Sequence, residues 1–342
     1  MADEKKLKIL SAISLTESQV EKIKSVDPRI ELHWYGRKDA ARIPADIWRD
    51  AEILLTSGTS LPPADLSPAL KWVQFYFAGV DRAFQQDVAL RGGVQLTSAS
   101  GTMISQMGEY VMMALLMLGH KAPEMFRFQQ QKIWHEHRIE KLEPVELRGS
   151  TVGIVGYGSI GREVARLLYS YGAKVLATKR DVLHPEDDGY VPEGLGDPQG
   201  NYFHRLYPNE ALDIMLKECD FVVVATPLTA ETTRMFGATQ FAAMKPGAFF
   251  VNVSRGPVVD TSALIDAARS GSLGGAVLDV FDEEPLPAES PLWDAPNVVI
   301  TPHIAGVSKR SMDALIELFV TNLHRYLKGV ELFNLIDPEQ GY

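Results

Sequence analysis

Three residues in the second half of the chain carry the side chains that proton transfer and anion binding need: Arg255, Glu284 and His303. A histidine titrates near neutrality and can give or take a proton, and a carboxylate beside it raises its pKa and fixes its tautomer. An arginine offers a planar fork to a carboxylate or a carbonyl oxygen. Upstream stands Gly156-Tyr157-Gly158-Ser159-Ile160-Gly161, a G-x-G-x-x-G turn. Its first glycine permits a tight turn, its second lets backbone approach a pyrophosphate, and its third lets a helix pack close to a strand. The helix that follows offers its N-terminal N–H groups to the phosphates. With a nicotinamide carried on that turn, the three side chains are the parts for hydride exchange between a 2-keto acid and a 2-hydroxy acid. Taken singly they read equally as a surface arginine, a solvated glutamate in an acidic run and a satisfied core histidine. The glycines alone read equally as an ordinary βα turn.

The surrounding pattern supplies elements to position these groups. Val152–Val155 is an apolar run before the glycines, Val164, Leu167 and Leu168 keep helical spacing after them, and Val175–Ala177 is a second run. Strand, glycine turn, helix and strand make a βαβ unit. Further buried strands are predicted at Phe221–Ala225, Ala248–Val253, Gly275–Val280 and Val298–Ile300, so Thr226, Arg255, Asp279 and His303 fall at or just past strand ends. A doubly wound sheet builds its site there. The N-terminal part alternates strands (7–13, 30–34, 52–56, 70–75, 94–96) with helices at 17–25 and 44–50, and Thr16 with Gln19 forms a capping box for the first helix. Gly108–Gln131 reads as one long helical stretch whose methionines suit packing or a subunit interface. Asp181–Pro208 is irregular and longer than an average connection, a length typical of functional or mobile segments. The last helix, 308–328, has an apolar face that suits packing back on the N-terminal part, with the tail ELFNLID to fix it.

The 342 residues have room for about two domains. With 34 basic and 44 acidic residues the formal charge is −10. That balance argues against nucleic acid or an anionic membrane as partner, so an anionic ligand needs a local cationic pocket. Cys219 is the only cysteine, which excludes an internal disulfide and a thiolate metal cluster, and no metal site is expected. The N-terminus lacks the apolar segment of a signal peptide, and the longest apolar run, Tyr110–Leu118, is far short of a membrane span. A cytoplasmic protein is expected.

Gly153–Gly161 (GIVGYGSIG), Val251–Gly256 (VNVSRG), Leu278–Pro287 (LDVFDEEPLP) and Val299–Gly306 (VITPHIAG) together resemble the D-isomer-specific 2-hydroxyacid dehydrogenase family. LKWVQFYFAGVD at 70–81, GEYVMMALL at 108–116 and PLTAET at 227–232 extend the resemblance, in order, over most of the chain. It implies an α/β fold of two Rossmann-like domains with doubly wound parallel sheets around a cleft. A nucleotide domain (103–305) is then inserted into a flavodoxin-like substrate domain (1–102 plus 306–342). It implies that Arg255 binds and polarises the keto acid, that His303 is the general acid in reduction and that Glu284 is its partner. Phe77, Ala78 and Gly79 fall at the substrate carboxylate, although from the residues alone that stretch is as well read as a plain turn. Asp279 matches the residue that bonds the nicotinamide carboxamide. The glycine turn, Gly156 to Gly161 with Tyr157, Ser159 and Ile160, meets the pyrophosphate. Thr226, Pro227, Thr232, Val253, Ser254 and Gly306 line the cofactor side, and Arg255 and His303 face both ligands. A homodimer acting on a small 2-keto or D-2-hydroxy acid, of the glyoxylate/hydroxypyruvate reductase kind, is the expectation. The family's cofactor-sensing corepressors keep the same residues and are the alternative. A glutamine in formate dehydrogenases stands where this chain has Glu284, which argues against that activity.

One position departs from the NAD-binding pattern. NAD-specific members place an acidic residue at the end of the second strand to bind the ribose 2′-hydroxyl. Here stand Thr178, Lys179 and Arg180. Two cations and a hydroxyl hold a 2′-phosphate by charge-assisted hydrogen bonds, so NADP is the expected cofactor ahead of NAD. A solvated basic pair leaving dual specificity is the other reading, and a shifted register brings the carboxylate of Asp181 to the ribose. Phe75, Phe77, Met103 and Trp134 are candidates to read the substrate's side chain.

Overall fold

The structure, a computed structural model, describes residues 5–58, 61–79 and 92–337. The chain forms two compact units: residues 1–103 with 188–190 and 308–342, and residues 104–187 with 191–307. Each is built on one parallel sheet.

In the first unit the sheet holds β1 (Leu7–Ser11), β2 (Ile30–Trp34), β3 (Ile53–Thr56), β4 (Trp72–Phe75) and β5 (Gln95–Thr97) in the order β2-β1-β3-β4-β5. That is the flavodoxin-like order. Strands β3 and β4 are buried along their whole length, as helices on both faces of a parallel sheet require. The helix Glu17–Lys24 starts at the expected capping box: Thr16 Oγ1 accepts from the Gln19 N–H and Gln19 Oε1 accepts from the Thr16 N–H. Such a cap contributes about 1 kcal/mol. The last helix, Ser311–Leu327, puts Leu315, Phe319 and Leu323 into one core with Ile9, Ile53 and Trp72. The tail is fixed as its sequence suggested, because buried Asn322 exchanges two hydrogen bonds with the backbone of Phe333 (2.8 and 3.1 Å).

The second unit holds β6 (Thr151–Val155), β7 (Lys174–Thr178), β8 (Arg205–Tyr207), β9 (Phe221–Val224), β10 (Ala248–Asn252), β11 (Leu273–Leu278) and β12 (Val298–Ile300). Their order is β12-β11-β10-β9-β6-β7-β8, and every pairing is parallel. The chain winds one way from β6 to β8 and the other way from β9 to β12, so the switch point lies between β6 and β9. The thiol of Cys219 is fully buried, and a Cβ on Gly153 of β6 would stand 2.5 Å from its sulfur. The expected single helix from 108 to 131 is two: Ile104–Gly119 and Ala122–Gln131, broken at Lys121, whose φ is +53°. The methionine pattern hides the break, because both pieces keep helical spacing. Met107 and Met112 are buried, whereas Met113 and Met125 are exposed.

The long segment after β7 is irregular until β8, a three-residue strand too short to leave a periodic signature. It is nonetheless tied down. Arg162, at the start of the helix Ser159–Tyr171, is 1% exposed. Its Nη1 donates to the Asp197 carbonyl (2.6 Å) and its Nη2 to those of Pro185 (2.6 Å) and Glu186 (3.1 Å). Its Nε lies 3.4 Å from Asp187 Oδ2 without the alignment of a hydrogen bond. Tyr157 stacks under the guanidinium, packs edge-on against Phe203 and donates to Asp197 Oδ2 (2.5 Å). Asp197 also accepts from the N–H groups of Asn201 and Tyr202. Glu163, likewise buried, accepts from the Gly196 N–H (2.7 Å) and pairs with Arg166. Arg162→Met takes away the donor of three backbone carbonyls and the charge beside Asp187. Removing one partner of such a buried ionic group costs about 3–5 kcal/mol. The expected result is a lower Tm and protease cleavage within 181–204 while the wild-type segment resists; equal resistance in the variant counts against the anchoring role.

Candidate functional site

Because the second sheet is wholly parallel, all its strands deliver their C-termini to one edge. Gly156 follows β6, Lys179 follows β7, Thr226 lies just past β9, Ser254 and Arg255 past β10, Asp279 past β11 and His303 past β12. The sequence-predicted residues of this unit therefore share an edge.

The three glycines meet three different constraints. Gly156 has φ +101°, and a Cβ there would stand 2.9 Å from the Ala225 carbonyl oxygen. On Gly161 a Cβ would stand 2.3 Å from the Gly156 carbonyl oxygen, so helix and turn pack backbone to backbone. Gly158, at the helix N-cap, has nothing of the described residues within 4 Å of where a Cβ would be. A bare backbone that faces open space at a helix N-terminus is the cradle a pyrophosphate needs. Beside it, Thr226 Oγ1 is buried without a hydrogen-bond partner among the described residues, and its Cγ2 is 3.0 Å from a Cβ built on Gly156. A buried hydroxyl left unpaired costs free energy, and a bound ligand oxygen removes that cost. The residues present fit a dinucleotide. Thr232 holds the neighbouring loop by donating to the Pro227 carbonyl (2.7 Å).

His303 Nδ1 lies 2.7 Å from Glu284 Oε2, and Glu284 Oε1 accepts from the Phe281 N–H (3.0 Å). The carboxylate thus fixes the ring by Nδ1 and leaves Nε2 for other chemistry. His303 itself has φ +53°, a left-handed conformation that costs roughly 1 kcal/mol or more in a non-glycine residue. Arg255 is half-buried and donates from Nη1 to the Ser254 carbonyl (2.9 Å). The next residue, Gly256, lies where a Cβ would be 1.9 Å from the Phe281 carbonyl carbon. That approach seats the arginine's loop directly on the loop that carries Glu284. Ser254 is held by Asn252, and Val253 is buried. Asp279, 1% exposed, accepts on Oδ1 from the Thr301 hydroxyl (2.6 Å) and the Ile304 N–H (2.9 Å), and on Oδ2 from the Ala305 N–H (2.8 Å). Gly306 accepts from Gln106 Nε2 (3.0 Å).

At the far end of β7 the structure separates groups that the sequence put together. Thr178 is buried, and its hydroxyl accepts from the Gly156 N–H (3.2 Å), so it holds the glycine turn. Lys179 Nζ donates to the carbonyls of His184 and Glu186. Burial, with the nearby Arg162 charge, draws its pKa below the ordinary lysine value. Arg180 is exposed, 3.8 Å from Glu231. Asp181 closes its own turn, accepting from the Leu183 N–H (2.9 Å) and pairing with His184 (2.6 Å), so its carboxylate is committed locally. Tyr157 spends its side chain on the Arg162 anchor.

Phe77, Ala78 and Gly79 follow β4 in the first unit and are exposed, with the Phe77 carbonyl accepting from the Ala99 N–H (3.0 Å). Val80 and Asp81 lie outside the described residues. Phe75, 2% exposed, belongs to the core of that unit and is not placed to read a ligand, whereas Trp134 is 84% exposed. Sequence reasoning missed Tyr110 and Thr301. Thr301 stood in view beside Pro302 and His303, while Tyr110 was hidden in a helix read only for its methionines.

The glycine contacts separate two effects. Gly161→Ala is expected to lower stability by about 1–3 kcal/mol, as forced overpacking does. Gly158→Ala, with no protein neighbour to meet, is expected to stay within about 1 kcal/mol of wild type yet weaken NADPH binding at least about tenfold, or about 1.4 kcal/mol. Thermal melts and fluorescence titration measure both. Undiminished binding by Gly158→Ala rules out this cradle.

Known proteins match the chain over most of its length. Residues 112–305 match the NAD binding domain of D-isomer specific 2-hydroxyacid dehydrogenase. The glyoxylate reductase of Thermococcus onnurineus is 34% identical over 299 residues, 85% of this chain and 84% of that protein. A D-isomer specific 2-hydroxyacid dehydrogenase from Xanthobacter autotrophicus, solved with NADPH and MES, is 29% identical with a TM-score of 0.78 over 99% of this chain and 100% of that one. The NADPH-dependent glyoxylate/hydroxypyruvate reductase of Sinorhizobium meliloti, solved with NADP and sulfate, is 29% identical with a TM-score of 0.76 over 98% of this chain and 100% of that one. The chain belongs to the D-isomer specific 2-hydroxyacid dehydrogenase family.

Proposed function

We propose that this protein reduces small 2-keto acids of the glyoxylate and hydroxypyruvate kind to 2-hydroxy acids, with NADPH in preference to NADH, and that it does so as a cytoplasmic homodimer. The observation that carries the reading is the 2.7 Å contact between His303 Nδ1 and Glu284, on the same sheet edge as the Gly158 cradle. Glu284 holds the ring by Nδ1 and turns Nε2 outward, so that in reduction Nε2–H gives its proton to the substrate carbonyl oxygen. Arg255 binds and polarises the keto acid. Phe77, Ala78 and Gly79 keep the carboxylate-binding role that the family resemblance gives them. Gly156–Gly161, Thr226, Pro227 and Thr232 hold the dinucleotide, with Val253, Ser254 and Gly306 beside it. When bound, the nicotinamide supplies the hydride to the carbonyl carbon.

The substrate class rests on the activities of the Thermococcus and Sinorhizobium relatives. The cofactor preference rests on the cations after β7 and on the NADPH and NADP of the two solved relatives. With Lys179 engaged by backbone carbonyls, the 2′-phosphate falls to Arg180. Arg180→Gln is expected to lower kcat/KM for NADPH by about tenfold or more, since a hydrogen bond to a charged group contributes about 1.5–3 kcal/mol, and to leave the NADH value within about twofold. A keto-acid panel run with both cofactors tests the whole reading. Higher kcat/KM with NADH overturns the preference, and tight NADPH binding without turnover on any keto acid favours the cofactor-sensing alternative.

The dimer rests on the stretch from Ala122 to Glu146. Met125, Phe126, Ile133, Trp134, Ile139 and Val145 are exposed there, and the helix Ala122–Gln131 buries none of its residues. Exposed apolar residues gathered in this way mark an interface. The same stretch carries acidic and basic residues in turn, which suits the self-complementary face of a two-fold pair. Light scattering is expected to give near twice the 37.8 kDa chain mass, and Trp134→Glu with Phe126→Glu to give one chain mass. A monomeric wild type refutes the dimer. No helix among the described residues is long and apolar enough to cross a membrane.

A further inference from the structure

We infer that Tyr110 and Thr301 are positioning residues for His303, acting through the carboxylate of Asp279. The inference rests on the reading of His303 as proton donor.

His303 is held in a left-handed backbone conformation, and something must oppose the strain. Asp279 does so, because its two oxygens grip residues on both sides of the histidine: the Thr301 hydroxyl before it and the Ile304 and Ala305 N–H groups after it. A hydroxyl has one proton to give. Thr301 gives its proton to Asp279, so in the 2.5 Å contact between Tyr110 Oη and Thr301 Oγ1 the phenol is the donor. The donors converge on Asp279: Tyr110 gives to Thr301, Thr301 gives to the carboxylate, and the backbone N–H groups of Ile304 and Ala305 give to it from the other side of His303. Tyr110 is 8% exposed and is carried by the helix Ile104–Gly119, which packs on β10 and β11, so its hydroxyl reaches the His303 loop from a rigid element. Burial and the Asp279 charge push the phenol up to about 12, which keeps its proton in place through the working pH range. Among the described residues Asp279 Oδ2 has one donor and keeps a lone pair for a ligand amide, so the clamp and a contact to the nicotinamide carboxamide are compatible.

The test uses the full chain with NADPH and glyoxylate or hydroxypyruvate. Tyr110→Phe keeps the ring, Thr301→Val keeps the shape, and Thr301→Ser keeps the hydroxyl. The expected result is a fall in kcat of about 5- to 30-fold for Tyr110→Phe and Thr301→Val, with KM for both substrates within about twofold, as for a contact that acts in the transition state. Thr301→Ser is expected to recover most of the loss. In the Thr301→Val background Tyr110→Phe should cost nothing further, because the two act in series. Without substrate, the His303 imidazole resonances, assigned by their loss in His303→Gln, are expected to shift in Tyr110→Phe. Unchanged kcat in Tyr110→Phe and Thr301→Val, where His303→Gln abolishes turnover, overturns the clamp and spares the proton donor. Full turnover by His303→Gln overturns the proton donor and this inference with it. An unmoved His303 resonance in Tyr110→Phe refutes the clamp whatever the turnover.

Discussion

A parallel strand can deliver a residue to the reacting edge of a sheet, but it cannot hold the loop that follows. The ladder of hydrogen bonds ends with the strand, and each loop must then be fixed by whatever side chains and close backbone contacts lie near. In the second unit Gly156, Thr226, Arg255, Glu284 and His303 are all in this position. The loops lean on one another: the turn after β6 on the helix through Gly161, the loop after β10 on the loop after β11 through Gly256, and the loop after β12 on Asp279. Two of these are contacts only glycine permits, and the third is a buried carboxylate whose oxygens take three donors. Removing any of them displaces the neighbour as well as the loop it belongs to.

Buried charge is used differently in the two polar networks of that unit. Asp279 accepts short hydrogen bonds from backbone and hydroxyl donors and so meets the condition under which a buried carboxylate is tolerated. Arg162 is spent on carbonyl oxygens, with one carboxylate at 3.4 Å and one nitrogen unpaired. Desolvation of a guanidinium is expensive, and imperfect pairing recovers only part of it. What such a group gains is specification, since few arrangements of residues 185–197 satisfy it. The segment is irregular without being loose.

The sheets, their direction and the identity of most edge residues were legible because parallel strands buried on both faces give unbroken apolar runs, and each run here ends in a polar or glycine residue. Arg255, Glu284 and His303 could be named from types and positions at strand ends, yet nothing in their spacing shows the 2.7 Å contact between two of them. The break at Lys121 and the strand Arg205–Tyr207 were not legible, the first because helical spacing continues across it and the second because three residues carry no period. Lys179 and Arg180 looked equivalent in the sequence. Their difference is tertiary, set by a turn five to seven residues downstream that takes one ammonium for its own carbonyls. Nothing in the sequence pattern marks Arg162 as buried, because its partners are carbonyls 23 to 35 residues downstream.

Cys219 gives this architecture a reporter of its own. The chain's only thiol is sealed between β6 and the end of the helix Leu212–Leu216, donates to the Met215 carbonyl, and has its pKa pushed up to about 12 by burial. A thiol held neutral and away from solvent reacts only when its surroundings open. The rate at which a thiol reagent labels the native protein therefore times the opening of the nucleotide sheet, with no engineered probe. Any ligand that binds the closed sheet edge must slow that clock in proportion to its occupancy.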